Sequence, residues 1–83
     1  MKQILFQGRK NIIGAKLQEI RKSKGLSQEE LSSKMQTLNV SMDQQMVSKI
    51  EKNQRQVTDF EFMCFCKCLQ VRPEELLSDF DIL

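Results

Sequence analysis

The sequence predicts an all-α domain of five short helices, and three observations carry that expectation. Apolar residues recur at helical spacing, as Ile13, Leu17 and Ile20 and again as Leu31, Met35 and Leu38. Helix-start and helix-stop residues punctuate the chain at short intervals. Strand signals are scarce, with no sustained apolar–polar alternation and no Asn-Gly or Asp-Gly turn.

The elements follow in order. The first helix is expected near 11–24, ended by Gly25, which can take the left-handed conformation. "GLSQEEL" opens the second, near 28–38. Ser27 caps it, Glu30 completes a capping box three residues on, and Leu26 and Leu31 flank the junction as a hydrophobic staple. Asp43 caps the third, near 44–52, with Met42 and Val47 as its staple and no boxed Glu. Thr58, Glu61, Val57 and Phe62 repeat the full device for the fourth, near 59–69. Pro73 stands at the first position of the fifth, near 73–78, and Glu74 and Glu75 follow it where the helix dipole favours acids. Each cap contributes ~1 kcal/mol; jointly they set boundaries. Residues 1–11 read as an N-terminal extension, 12–78 as the domain and 79–83 as a tail.

Composition narrows the functions. With 83 residues the chain is one domain, near the size at which a single core just suffices. Aromatics are 6% and Trp is absent, so the core is expected to rest on Leu, Ile, Val, Met and five Phe. No apolar run approaches the ~20 residues of a membrane span, and no signal peptide opens the chain. A soluble, cytoplasmic protein is expected. The three cysteines of "CFCKC" form no disulfide framework, and Cys64 and Cys66 diverge too far within one helix to pair without distorting it. Cys64 and Cys68, four apart, could offer zinc two thiolates, but a site needs four ligands and the chain has no His. Small buried or half-buried side chains are the simpler reading, with no metal or cofactor. Without His, a Gly-rich phosphate loop or a nucleophile beside a base, no enzyme is expected.

Charge is unevenly spread. Residues 1–57 carry eleven Lys/Arg against five Asp/Glu, and residues 58–83 carry two against six. A basic first part and an acidic end suggest one face meant for a polyanion and another kept off it. The third helix sharpens this. Val47 and Ile50 point to the core, whereas Gln44, Gln45, Ser48, Lys49 and Lys52 form one polar stripe on the other side. A solvated face is the bland explanation. Against it, the stripe contains no acid, begins in the first turn and follows another capped helix closely. A helix laid in the DNA major groove uses its N-terminal residues on base edges, and glutamine can bond adenine at N6 and N7 together. Gln44 and Gln45 suit that task.

Read as a whole, "IGAKLQEIRKSKGLSQEELSSKM" followed by "VSKIEKNQRQVTDFEFMCFCKCLQVRPEELL" resembles the Cro/C1-type (XRE) helix-turn-helix family of phage repressors and small bacterial regulators, over about residues 12–77. The resemblance implies a lambda-repressor-like five-helix fold. It implies that Gln44, Gln45, Ser48 and Lys49 read bases and that Gln28 bonds a phosphate. The loop of Asn53, Gln54 and Arg55 would track the DNA backbone, with Lys52 and Arg55 as its charged contacts. An ion pair between Arg21 and Glu51 is also implied. The chain departs from the family at "QTLNVSMD", five residues longer than the tight turn of phage repressors. That segment reads as an extra turn of the second helix, ended near Asn39, and a short extended link to Asp43. Met46 replaces a small hydroxyl residue; it could touch a thymine methyl, but packing at the core edge is the favoured expectation. Arg72 replaces a Ser or Thr cap.

The function expected is sequence-specific binding of a double-stranded DNA operator by a small transcriptional repressor. The rival is a protein-interaction module, such as an antitoxin or anti-repressor partner, on the same fold. A homodimer on DNA is expected, with the apolar surplus of Leu76, Leu77, Phe80, Ile82 and Leu83 as its contact; the bland alternative is that Leu76 and Leu77 finish the core while the last residues fray.

Overall fold

The computed structural model describes residues 5–80. Among these it contains α1 (Gly14–Ser23), α2 (Gln28–Thr37), α3 (Gln44–Glu51), α4 (Asp59–Leu69) and α5 (Pro73–Leu76). The fourth helix has its expected bounds, and the others are shorter. At the start of α1 the reason is chemical. Asn11 stays outside the helix and caps it, its Oδ1 accepting from the amides of Ile13 (3.1 Å) and Gly14 (2.7 Å). Its Nδ2 donates to the carbonyls of Ile50 (3.0 Å) and Arg55 (2.9 Å), which ties Asn11 to the end of α3 and the loop beyond it.

Both capping boxes form, at Ser27/Glu30 and Thr58/Glu61. The Asp43 carboxylate accepts from the Met46 amide at 2.8 Å. Arg72 supplies no side-chain cap to α5; it pairs with exposed Glu74 instead. Gly25 (φ 72°), Asn39 (φ 63°), Asn53 (φ 62°) and Gln70 (φ 57°) take left-handed conformations that stop α1 to α4. Past Asn39 the Val40 amide reaches back to the Met35 carbonyl at 3.2 Å. Val40 and Met42 are buried, and Gln36 Nε2 donates to the Met42 carbonyl at 2.7 Å. The long connection is therefore an anchored strap that delivers Asp43 to its cap position.

Leu17, Leu31, Met35, Val47, Ile50, Phe65, Leu69 and Leu76 are sealed from water. The second helix packs on α3 and α4, α1 packs on α3, and α5 closes the base against α1 and α4. The first helix meets the end of α3 so closely that a Cβ on Gly14 would run into the Ile50 carbonyl oxygen. The aromatic part of the expected core is smaller than the sequence suggested. Only Phe65 is fully buried; Phe62 is half-buried, while Phe6 and Phe60 are exposed. The C-terminal surplus also differs from expectation. Leu76 completes the core and Leu77 packs against it. Phe80 lies against Phe6, ring centroids 5.6 Å apart. Ile82 and Leu83 fall outside the described residues.

Candidate nucleic-acid interface

The third helix is amphipathic because Val47 and Ile50 must be buried, which turns the residues between them outward. Gln44, Gln45, Lys49 and Lys52 are exposed, Ser48 is half-buried, and together with Gln54 they line one shallow groove. Met46 is partly buried against the core. Neither Lys49 nor Lys52 has an ion-pair partner among the described residues, so both ammonium groups remain available to an anion.

Behind this face lies a continuous polar relay. Arg21 Nε donates to Glu51 Oε2 at 2.7 Å and Nη2 to Glu51 Oε1 at 3.1 Å, a two-pronged ion pair with both side chains buried. Arg21 Nη1 donates to the Leu26 carbonyl at 2.7 Å, tying α1 to the helix-turn-helix junction. Gln28 Nε2 donates to Glu51 Oε1 at 2.8 Å, and Gln28 Oε1 accepts from Gln44 Nε2 at 2.6 Å. The charge pair thus holds Gln28, and Gln28 holds Gln44. One N–H of Gln44 is spent on Gln28, leaving its other N–H and its carbonyl oxygen free.

Besides Gln28, two residues expected on the DNA backbone are occupied within the protein. Asn53 Oδ1 accepts from the amides of Lys10 (2.7 Å) and Asn11 (3.3 Å), and its Nδ2 donates to the Asn11 carbonyl at 3.0 Å. Arg55 makes a fork to Glu61, with Nη1 to Oε1 and Nη2 to Oε2 both at 3.0 Å, and Nη1 also donates to the Gln56 carbonyl. Lys52 and Gln54 remain exposed. Burial pushes the Glu61 carboxyl up, but the Arg55 fork and the Thr58 bonds outweigh it and hold the group below its ordinary value. Asn11 is the structural residue that sequence reasoning missed. Its only local signal was an Asn two residues before the helical spacing begins at Ile13, and its partners stand 39 and 44 residues away.

On the cysteine helix, Cys66 is buried and Cys64 and Cys68 are half-buried. Burial raises the thiols of Cys66 and Cys68, which keeps them protonated at neutral pH. Cys68 Sγ lies 3.6 Å from Met35 Sδ, so it serves the core edge.

A short capped helix, an anchored strap and a second helix presenting an acid-free polar stripe define a helix-turn-helix DNA-binding domain. The helix-turn-helix family model HTH_3 matches residues 17–76, and the chain belongs to that family. Among solved structures it is similar to the restriction-modification controller protein C.AhdI from Aeromonas hydrophila. The two are 33% identical with a TM-score of 0.69, over 77% of this chain and 86% of that one. No curated protein matches. The chain is a DNA-binding regulator of Cro/C1 type.

Proposed function

We propose that this regulator represses transcription by occupying a double-stranded operator as a homodimer, with α3 in the major groove. The observation that carries the reading is the Gln44–Gln28–Glu51–Arg21 relay beneath a face free of acids. It presets the Gln44 amide, whose free oxygen and remaining N–H match adenine N6 and N7. Gln45, Ser48 and Lys49 read neighbouring base edges. Gln28, Lys52 and Gln54 face phosphates, while Asn53 and Arg55 mainly shape the loop that carries them. Since one solved relative is a restriction-modification controller, the control regions of such a system are the first operators to test.

Selection of bound DNA from a random library is the experiment. A recovered sequence with two-fold symmetry, bound with an affinity that falls steeply with salt, is the expected outcome. Failure to enrich any sequence, or binding indifferent to salt, would refute the reading in favour of a protein-interaction module.

A further inference from the structure

Phe60 is 58% and Met63 53% exposed, the most exposed large apolar side chains among the described residues. They stand three apart on α4, share one face, and with Asp59 and Cys64 line a shallow depression. Leu5 and Phe6 are the other such pair, but the Phe6 ring already rests on Phe80. Leu76 and Leu77 are spent on the core. Among the described residues, the α4 face is thus the apolar surface left without a partner. Asp59 and Lys67 stand at its two ends, both exposed and neither in an ion pair among the described residues.

We propose that this face receives a second copy of the chain, α4 against α4 antiparallel, about a two-fold axis beside Met63 and Cys64. The charge pattern selects this occupant and this direction. Asp59 and Lys67 are each four residues from Met63, so an antiparallel pair sets Asp59 opposite the partner's Lys67 twice over. A parallel pair would place like charge on like. Phe60 then covers the partner's Met63 and Cys64, and the two helix dipoles oppose. A self-complementary patch of this kind is what a two-fold contact requires. Six residues join α3 to the cap of α4, and the Arg55–Glu61 fork braces that junction. An axis on α4 therefore also sets how two α3 helices are presented. One face of an eleven-residue helix buries less than the ~1,200 Å² of a standard stable interface. The dimer is accordingly weak when free and forms fully on adjacent half-sites, where binding is bivalent.

This inference rests on the DNA-binding reading, and its test separates the two. The full chain is treated with diamide, free and on selected two-half-site DNA. Diamide takes up the two protons and two electrons that a pair of thiols loses on forming a disulfide. The expected product is a dimer joined through Cys64 to the partner's Cys64, absent in Cys64→Ser. Phe60→Ser should weaken binding to paired half-sites about tenfold or more while sparing a single half-site. Asp59→Lys should weaken it too, and the double variant Asp59→Lys/Lys67→Asp should recover it, which a merely structural role would not produce. Dimeric binding with no Cys64 link and no charge-swap recovery would overturn the interface. If no DNA is selected, the DNA-binding reading fails, and sedimentation of the free protein still judges the interface. Concentration-dependent dimers lost in Phe60→Ser support it, and a strict monomer at high concentration overturns it.

Discussion

At Gln44 a side chain of ordinary flexibility is held in one orientation by Gln28, and base reading is proposed to begin there. Gln44→Ala is expected to lose ~1–3 kcal/mol of discrimination at one adenine position with the fold intact. Gln28→Ala should remove part of the same discrimination, and the double variant should lose less than the two losses added. Binding titrations on matched and mismatched operators check this; equal loss on operator and random DNA would assign Gln44 to the backbone instead. Gly14 carries a different constraint. Its side chain must be absent because the Ile50 carbonyl occupies that space. Gly14→Ala should destabilise the protein by ~1–3 kcal/mol although alanine favours helices. An unchanged urea midpoint would show that α1 can back away from α3 without cost.

At the scale of elements, the buried Arg21–Glu51 pair fastens α1 to the end of α3. Removing either partner leaves an unpaired buried charge, with an expected cost of ~3–5 kcal/mol. A double-mutant cycle measures the coupling, and additive losses would deny it. The Arg55–Glu61 fork does the same service between the post-α3 loop and α4. Because Glu61 is held below its ordinary value, its contribution is present above the unfolded carboxyl pKa of ~4.3 and is lost as pH falls through the folded value. Urea midpoints should be level from neutral pH to about 5 and decline below about 4, and Glu61→Gln should remove part of that decline. An identical pH profile in the variant would assign the acid sensitivity to other carboxylates. The two loop cations separate by salt. Lys52→Ala should lower the salt slope of binding by roughly one, whereas Arg55→Ala should mainly lower stability.

At the scale of the molecule, one small domain spans too few base pairs to single out a site among a genome's competitors. In the proposed dimer, two copies would bring two α3 helices to successive major grooves ~34 Å apart. With Leu76 and Leu77 internal and the α4 face free, truncation after Ser78 should leave dimeric operator binding unchanged. Among the described residues it should cost the Lys16–Asp79 pair, the Phe6–Phe80 contact and the bond from the Phe80 amide to the Leu77 carbonyl. Sedimentation of the DNA-bound truncated protein tests this, and a monomer on a single half-site would return the interface to the tail.

The sequence alone determined what depends on neighbours a few residues apart. Caps, staples and left-handed stops act within about four residues, so helix order, near-boundaries and the polar stripe of α3 could be read from Ser27, Asp43, Thr58 and their followers. The Arg21–Glu51 pair was legible only through the family pattern, since nothing local joins residues thirty apart. Tertiary structure decided where long-range partners compete for the same polar groups. Asn53 and Arg55 looked free for phosphates, yet Asn11 and Glu61 satisfy them, because buried amides and carboxylates must be hydrogen-bonded from whatever element packs nearest. It also decided which apolar residues the core had room for. Leu76 and Phe65 entered while Phe60 and Met63 stayed outside, since periodicity marks a helix's apolar residues but only packing selects the face that is covered.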